Sequence, residues 1–299
     1  MTCFDCHTHT YFSNHGTGTV AELVSAAVDC GMSLIALTEH LPLPPEANPD
    51  GTFAMDADKL EAYIGSVQRA QEAYPEIEII CGIEIDWRTG AEQYILKTLA
   101  EASAPFELRL GSVHMFTDAQ GACAWAFDHP AHINGWYERG EEQVWRSYLE
   151  LWLEALESRV SFDIMAHPDL PKRLGFKPAF DTREYYAAMA EAAAKRGVLI
   201  EVNTSGLHRP AAELYPAPAL LAAFRAVGVG CTIGSDAHTP QDVGRDFDKA
   251  CKALREAGYH ELVMPTRSGE RRLVPLDDFE ASWRLGKRPG KRLGNTRRH

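Results

Sequence analysis

The sequence predicts an α/β barrel, and two observations indicate it. Seven short β-rich runs alternate with seven helical patterns along the 299 residues. The runs are apolar on both faces, as expected of parallel strands that are covered on both sides. Seven βα units in series imply parallel strands joined by right-handed crossovers, and at this length the natural closure is a barrel related to the (β/α)₈ type.

The predicted elements follow one another without a stretch that would mark a linker. The β-rich runs cover residues 3–7, 33–40, 77–86, 108–114, 162–169, 198–206 and 229–238. The helical patterns cover residues 19–30, 56–74, 91–102, 141–158, 182–196, 216–227 and 240–257. Polar residues that precede helices are predicted N-caps, namely Thr19, Asp56 and Thr182. Glycines follow four of the helices, as is common at helix C-termini, namely Gly31, Gly197, Gly228 and Gly258.

Two stretches depart from the βα repeat. Residues 115–140 are too long and too irregular for an ordinary βα loop, and such loops are usually functional lids or disordered segments. Their aromatic side chains would either cover a substrate ring or pack the loop onto the barrel. Residues 284–299 carry seven Lys and Arg residues and no acid. We therefore predict one barrel domain at 1–283 and a basic, disordered tail at 284–299.

Composition indicates the cellular compartment and the kinds of binding partner. No apolar run approaches the roughly 20 residues that span a bilayer, and the N-terminus lacks a secretory signal. Seven scattered cysteines are a poor disulfide framework. We therefore predict a cytoplasmic protein that has no membrane partner. Outside the basic tail, the chain has 23 basic and 42 acidic side chains. This excess of negative charge disfavours nucleic acid as a partner. The sequence does not indicate an oligomeric state.

Metal-binding residue types recur where the predicted strands end. Seven of the twelve histidines occupy these positions, namely His7, His9, His15, His40, His114, His167 and His238. In a closed barrel the carboxyl ends of the strands converge on one mouth. His7 and His9 lie two residues apart on a strand, so both imidazoles face the same side. Glu84 and Asp236 raise the candidate ligands to nine, too many for one ion with three or four protein ligands.

This ligand set predicts two or three divalent ions of zinc, manganese or iron, with a bridging carboxylate. Clustered divalent ions promote displacement at phosphorus, because they generate hydroxide near neutral pH and neutralise the charge that grows on the phosphate oxygens. The sequence contains no G-x-S-x-G elbow and no P-loop that would suggest another chemistry. The residues therefore indicate a metal-dependent phosphoesterase.

The motifs that carry these ligands resemble those of the polymerase and histidinol phosphatase (PHP) superfamily. The matching segments are DCHTH (5–9), TEH (38–40), GIEID (82–86), GSVH (111–114), AHPD (166–169) and GSDAH (234–238). The resemblance implies a single-domain, distorted (β/α)₇ barrel with a trinuclear site. One ion would be held by His7, His9, Glu84 and Asp236. A second would be held by His15, His40 and His238, and a third by His114, His167 and the bridging Glu84.

Three further segments resemble the histidinol-phosphate phosphatase branch of that superfamily. They are HPDLPKR (167–173), EVNTSGLHRP (201–210) and GSDAHTPQDVGRDFDKA (234–250). The resemblance implies hydrolysis of L-histidinol phosphate to L-histidinol and phosphate, a step of histidine biosynthesis. The branch commonly places Arg directly after the GL of its NTSGL segment. This chain has His208 there and Arg209 next, so either residue would make that contact.

Recognition of a small phosphomonoester requires cations near the metal ions, and the guanidinium fork suits phosphate best. We predict that Arg173, Arg209 and Lys172 bind the substrate, with His208 as the alternative to Arg209. In this hypothesis hydroxide attacks phosphorus in line, and the arginines stabilise the equatorial oxygens. Asp169 is the candidate acid or base that would protonate the leaving alkoxide.

Two other interpretations remain at this stage. A phosphoesterase that acts on nucleotide or DNA-end phosphates would use the same metal ligands, but it would need a basic groove, and only the tail at 284–299 offers one. A non-catalytic metal-binding barrel would be expected to have lost ligands. None of the nine is missing from this sequence.

Overall fold

The computed structural model describes residues 2–118 and 123–286, and its architecture confirms the predicted barrel. The strands are β1 (Phe4–Asp5), β2 (Leu34–His40), β3 (Glu78–Asp86), β4 (Leu108–Ser112), β5 (Met115–Thr117), β6 (Cys123–Ala126), β7 (Ile164–Met165), β8 (Leu199–Asn203), β9 (Cys231–Gly234), β10 (Glu261–Pro265) and β11 (Arg271–Pro275). The helices are α1 (Val20–Asp29), α2 (Leu60–Ala73), α3 (Glu92–Glu101), α4 (Asn134–Arg139), α5 (Glu141–Glu157), α6 (Arg183–Arg196), α7 (Pro218–Ala226), α8 (Phe247–Glu256) and α9 (Leu276–Gly286). Seven strands form one parallel sheet in the order β1-β2-β3-β4-β7-β8-β9.

The first and last strands of this sheet close the barrel. The backbone N–H of Cys6 donates to the carbonyl of Ile233 over 3.0 Å, and that of His9 donates to Ala237 over 2.8 Å. In the other direction, the N–H of Asp236 donates to the carbonyl of His7 over 2.9 Å. Closure removes the two open edges that a seven-stranded parallel sheet would otherwise present. It also brings the first metal-binding motif, DCHTH (5–9), next to the last one, GSDAH (234–238).

Burial of the strands explains how the site is formed. Every residue of β2, LIALTEH, is buried, as the apolar pattern on both faces predicts. The polar residues of this strand, Thr38, Glu39 and His40, come at its carboxyl end. There they can reach the barrel mouth and avoid the fully apolar surroundings of the strand's beginning.

The helix ends follow the predictions in part. Thr19 caps α1 in a capping box, in which its hydroxyl accepts from the N–H of Glu22 and the Glu22 carboxylate accepts from the N–H of Thr19. Asp56 and Thr182 occupy the predicted N-cap positions, but neither side chain makes a capping hydrogen bond. Asp56 precedes a 3₁₀ turn, and its carboxylate pairs with Lys59 over 2.6 Å. The glycines predicted to end helices all have φ between 65° and 85°, namely Gly31, Gly197, Gly228 and Gly258.

The long segment at 115–140 forms a small addition that packs on the barrel. It contains the β5–β6 hairpin and α4, while residues 119–122 lie outside the described residues. Trp125, Phe127 and Trp136 are buried. The indole N–H of Trp136 donates to the carbonyl of Phe127 over 2.7 Å, and its ring stacks on Phe176 at 4.3 Å between centroids. These aromatic side chains therefore hold the segment to the barrel and are not available to cover a substrate.

The C-terminal elements cover the other end of the barrel. Strands β10 and β11 form an antiparallel hairpin, and α9 follows it. Phe279 of α9 contacts Phe4 at the start of β1, with 5.2 Å between ring centroids. Helix α9 includes the first three residues of the predicted tail, so the helical chain continues past the predicted boundary at 283. The rest of that tail, 287–299, lies outside the described residues. Among the described helices, none is both long and apolar enough to span a membrane.

Candidate metal centre

The carboxyl ends of the sheet strands surround one cavity of about 490 Å³. Seven of the nine predicted ligands line it, namely His15, His40, Glu84, His114, His167, Asp236 and His238. The other two, His7 and His9, are fully buried directly behind Glu84 and Asp236. The structure thus brings all nine predicted ligands together.

The first group of donors consists of His7, His9, Glu84 and Asp236. The Nε2 atoms of His7 and His9 lie 2.9 Å apart. They lie 3.3 Å and 3.4 Å from Oε2 of Glu84, and 3.7 Å and 3.4 Å from Oδ1 of Asp236. Neighbouring ligand atoms of a tetrahedral ion with bonds of about 2.0–2.1 Å are separated by roughly 3.3 Å. These four donors therefore have the spacing that one divalent ion requires.

The second group shares Glu84 with the first. Its other carboxylate oxygen, Oε1, lies 3.0 Å from Nε2 of His167 and 3.6 Å from Nε2 of His114. The rings of His114 and His167 are 5.0 Å apart between centroids. The two oxygens of one carboxylate thus face different groups of imidazoles, which is the arrangement of a carboxylate that bridges two ions.

The third group is formed around His40 and His238. The His15 ring lies 5.2 Å from that of His40 and 4.9 Å from that of His238. The Nδ1 atoms of His15 and His238 lie 2.9 Å and 3.0 Å from the backbone carbonyls of Thr52 and Asp236. Donation to these carbonyls leaves each Nε2 with a lone pair for an ion. The three donor atoms here that all lie within 4.8 Å of one another, however, belong to His9, His40 and His238.

Two carboxylates orient the donors from outside. Nδ1 of His7 lies 2.8 Å from Oε1 of Glu201, and Nδ1 of His114 lies 3.2 Å from Oδ1 of Asp86. Such a carboxylate fixes the tautomer and the ring orientation of a ligating histidine and raises its basicity. Asp86 and Glu201 lie in the segments GIEID (82–86) and EVNTSGLHRP (201–210), but the sequence analysis gave them no role. Their role could have been inferred from the sequence, because the predicted strand ends carry more carboxylates than the ions need as ligands.

Charge and burial also favour cations at this site. Burial opposes ionisation of the Glu84 carboxyl, but the neighbouring imidazoles of His40 and His7 outweigh it and hold its pKa well below the usual range. Burial, with the neighbouring His238, lowers the pKa of His9 to about 3 and that of His15 to about 4. These two imidazoles are therefore neutral near pH 7, which is the form that binds metal.

Several buried polar atoms at the site have no hydrogen-bond partner among the described residues, namely Oε2 of Glu84 and Nδ1 of His9 and His167. Buried polar atoms are otherwise nearly always paired. A cation beside Glu84 would satisfy its oxygen. Because mixed imidazole and carboxylate donors suit zinc, manganese and iron, the residues present fit a cluster of such ions.

The backbone is strained at two of the ligands. His167 and Asp236 have φ values of 27° and 52°, in a region of backbone conformation that residues other than glycine rarely adopt. Buried Asp5 supports the second of these turns, because its carboxylate accepts from the Ser235 hydroxyl over 2.5 Å and from the N–H of Gly244 over 3.0 Å. Strain of this kind persists where the surrounding structure over-determines the conformation, as it does at functional sites.

The predicted substrate-binding residues divide into two sets. Arg173 and Arg209 line the metal cavity. Nη1 of Arg173 donates to Oδ2 of Asp128 over 3.2 Å, and Asp128 and His129 also line the cavity. No role was predicted for these last two residues, because they belong to the irregular segment at 115–140, where no strand end marks the position.

Lys172, Asp169 and His208 are not among the residues that line this cavity. The Lys172 side chain is 2% exposed, and its ammonium donates to Oδ2 of Asp169 over 2.8 Å and to the carbonyl of Leu214 over 2.7 Å. The same Asp169 oxygen accepts from the N–H of Ala217 over 2.7 Å. Lys172 and Asp169 are therefore a buried structural pair, and their predicted contacts with the substrate do not fit this position.

His208 is paired with two charged side chains of the protein. Its Nε2 is 2.5 Å from Oδ2 of Asp246, and Nη2 of Arg245 donates to its Nδ1 over 2.6 Å. Both ring nitrogens are thus occupied by protein groups. Of the two adjacent candidates, only Arg209 lines the metal cavity, whereas His208 lines a smaller neighbouring cavity with Asp236 and His238.

This fold and this site define a histidine-rich metal-binding barrel of a known kind. Residues 5–205 match the family model described as "PHP domain". The chain therefore belongs to the PHP domain family, and the resemblance predicted from its motifs is confirmed.

Three relatives extend the comparison. A protein from Deinococcus radiodurans named "probable histidinol-phosphatase" is 34% identical over 265 residues, which cover 88% of this chain and 96% of that protein. A crystal structure from Listeria monocytogenes, described as a candidate histidinol phosphatase, has a TM-score of 0.76 and 25% identity, and the match covers 83% of this chain and all of that one. The fold is also that of a Lactococcus lactis histidinol phosphate phosphatase solved with zinc, L-histidinol and phosphate, with a TM-score of 0.72, 22% identity and coverage of 91% and 99%.

A prediction follows from the outer carboxylates. Replacing Glu201 by Gln should lower the affinity for metal by about 10- to 100-fold, because His7 loses the carboxylate that orients it. Competition with a chromogenic chelator measures this affinity. Glu191→Gln, the same change on the exposed face of α6, is the matched control and should bind metal like the unaltered protein. Equal affinities in the two variants would mean that Glu201 does not support the metal centre.

Proposed function

We propose that this chain is a metal-dependent phosphomonoesterase that hydrolyses L-histidinol phosphate to L-histidinol and phosphate. The observation that carries this proposal is the presence of two arginines, Arg173 and Arg209, in the same cavity as the histidine-rich donor groups. Metal donors alone would suit many barrels, whereas guanidinium groups beside them suit a phosphate ester. The similarity to the Deinococcus protein over most of both chains supports the choice of ester.

The metal ligands and the cavity residues have separate roles in this reaction. When bound, the divalent ions supply a hydroxide nucleophile near neutral pH and positive charge for the phosphate oxygens. His7, His9, Glu84 and Asp236 would hold one ion, Glu84 would share a second with His114 and His167, and His40 and His238 would help to hold a third. Glu201 keeps the His7 ring in the orientation that leaves Nε2 free.

The arginines complete the phosphate site. Arg173 is held by Asp128 at 3.2 Å, so its guanidinium loses little conformational freedom when it binds the equatorial oxygens. The carboxylate of Asp128 also presents a negative charge in the cavity, which suits the ammonium group of histidinol. Since Asp169 is buried away from the cavity, the proton that the leaving alkoxide takes up must come from another group there or from water.

Steady-state hydrolysis of a panel of esters tests the proposal. Histidinol phosphate, nucleoside monophosphates, sugar phosphates and a 3′-phosphorylated DNA oligonucleotide are compared on protein whose metal content has been counted. We expect kcat/KM for histidinol phosphate to exceed that for every other ester by about 100-fold or more, since the site's polar groups are left unpaired by the wrong ester. If the enzyme preferred a nucleotide or DNA ester, that ester would replace histidinol phosphate as the proposed substrate. Metal-filled protein without activity on any ester would support a non-catalytic barrel.

The adjacent residues His208 and Arg209 give a second prediction. Arg209→Gln should lower kcat/KM by about 10- to 100-fold, because a charged hydrogen bond to the phosphate is lost. His208→Gln should stay within about twofold of the unaltered enzyme, because the His208 ring is already paired with Asp246 and Arg245 and does not line the metal cavity. Measurement of both variants with histidinol phosphate decides between them. A larger loss in the His208 variant would mean that the phosphate contact lies at His208.

We also propose that the protein acts in the cytoplasm on this small molecule, without nucleic acid. Cys6, Cys81, Cys231 and Cys251 are buried, and burial raises the pKa of the Cys81 thiol to about 12. Such thiols behave as small apolar side chains, which fits a reducing compartment. The strongly acidic body of the chain supports the absence of a nucleic-acid partner.

A further inference from the structure

A second cavity, of about 740 Å³, lies beside the metal centre. Residues at the start of α3, on α5 and on β5 line it, and the two cavities share only Met115 among the described residues. The mechanism proposed above uses no residue of this second cavity. Its lining includes one buried cation, Arg88.

Arg88 is buried, and no hydrogen bond or ion pair joins its guanidinium to another of the described residues. It is 4% exposed, and its Nε has no hydrogen-bond partner among the described residues. In the described parts of the chain, no carboxylate oxygen lies within 4.0 Å of a guanidinium nitrogen of Arg88, which is the limit for an ion pair. Burial of an unpaired charge is costly, and buried arginines are ordinarily paired. Arg88 lines the cavity, so an anionic group in the cavity would supply the missing partner.

The start of helix α3 adds a second feature that favours an anion. Its N-cap residue, Ala91, cannot cap the helix with its side chain, and Gly90 and Ala91 both line the cavity. The first N–H groups of a helix lack partners within the helix, and the helix dipole places partial positive charge there. A carboxylate or phosphate bound beside Arg88 would therefore find positive charge from two sources.

The rest of the cavity carries the opposite charge. Glu150 and Glu154 of α5 line it, together with Glu46 and Asp118. Glu154 accepts from the Thr89 hydroxyl over 2.7 Å, while neither Glu150 nor Glu46 has an ion-pair partner among the described residues. A simple anion would be repelled by these carboxylates, whereas a ligand that also carries an ammonium group would be attracted to them.

We propose that this second cavity binds a small zwitterion of the amino-acid type. The carboxylate of the ligand would pair with Arg88 near the start of α3, and its ammonium group would face Glu150 and Glu154. Half-buried Tyr94 and Leu151 line the same cavity and would contact the ligand's side chain. The site is distinct from the phosphate site, because it does not contain Arg173, Arg209 or any of the nine metal donors.

The test measures ligand-induced thermal stabilisation of the metal-loaded protein with each of the twenty L-amino acids. We expect at least one to raise the melting temperature in a saturable way, because a ligand that binds only the folded state stabilises it. For the best amino acid, the corresponding amino alcohol and the N-acetyl derivative should each bind about tenfold or more weakly, since each lacks one of the two charges. Acetate should not saturate the site.

Two variants connect that binding to the cavity. Arg88→Gln should abolish the stabilisation, and Glu150→Gln on the exposed face of α5 should weaken it. Arg183→Gln, which removes an exposed arginine paired with Asp181, is the matched control and should bind normally. Phosphatase activity of the Arg88 variant should be unchanged, because Arg88 does not line the metal cavity.

A measurement without ligand keeps the proposal testable if Arg88→Gln alters folding. An unpaired buried charge destabilises the ligand-free protein, so this variant should melt at a higher temperature than the unaltered chain. A lower melting temperature would show that Arg88 has a structural partner. The proposal is overturned if no amino acid binds, if binding survives Arg88→Gln, or if acetate binds as well as the zwitterion.

Discussion

Replacing Glu84 by Gln should abolish the phosphatase activity, with a loss of about 10³-fold or more in kcat. The two oxygens of this carboxylate face different groups of imidazoles, at 3.3 Å from His7 and 3.0 Å from His167. The amide keeps the size of the side chain but removes the charge, and one of its two ends becomes a donor that cannot bind an ion. The variant should therefore lose more than one ion per chain. Elemental analysis alongside the assay measures both effects.

Glu78→Gln provides the matched control for this experiment. Glu78 begins the same strand, at the opposite end of the barrel, where its carboxylate accepts from the N–H of Arg267. This variant should retain its metal and its activity. If the Glu84 variant kept a full complement of ions, the carboxylate would not be the bridge between the groups.

Replacing Arg173 by Met should lower kcat/KM for histidinol phosphate by about 10²- to 10³-fold, while the metal content stays unchanged. The side chain is 23% exposed and lines the cavity, so it can reach the phosphate without leaving Asp128. Methionine retains much of the apolar stem and removes the charge and the forked donors. Steady-state kinetics with metal counting separates this loss from damage to the metal centre.

A double variant excludes a simpler explanation for that loss. Without Arg173, the carboxylate of Asp128 would face the phosphate unpaired and repel it. Arg173→Met combined with Asp128→Asn removes this repulsion, and we expect its activity to stay low. Recovery of activity in the double variant would mean that the arginine serves only to neutralise Asp128. Arg183→Met, at an exposed ion pair with Asp181, controls for the change of residue type.

Sequence reasoning predicted the barrel and the set of metal donors because both depend on short-range rules. Strand and helix periods alternate plainly, and parallel strands must bring their carboxyl ends to one mouth. His7 and His9 share a side because side chains on a strand alternate. Given the fold, residues such as Glu84 and Asp236 can therefore be placed at the mouth from their positions at the ends of strands.

The substrate-facing residues could not be predicted in the same way. Lys172 and Arg173 are neighbours in one 3₁₀ turn, Leu170–Leu174, where successive side chains point in directions about 120° apart. One of them enters the cavity and the other is buried against Asp169. No periodic pattern in the sequence distinguishes two cations of this kind. Asp128 was missed for a related reason, since its position depends on how an irregular segment packs on the barrel.

Closure of the barrel between β1 and β9 has a consequence for biosynthesis. His7 and His9 are made near the start of the chain, whereas Asp236 is made when most of the barrel has been synthesised. The growing polypeptide therefore cannot assemble the first donor group until β9 has left the ribosome. An ion held there would act as a late crosslink between the first and last strands, closing a loop that spans nearly the whole domain. Metal supply should then govern how long the finished protein survives proteolysis in the cell, as well as how fast it turns over substrate.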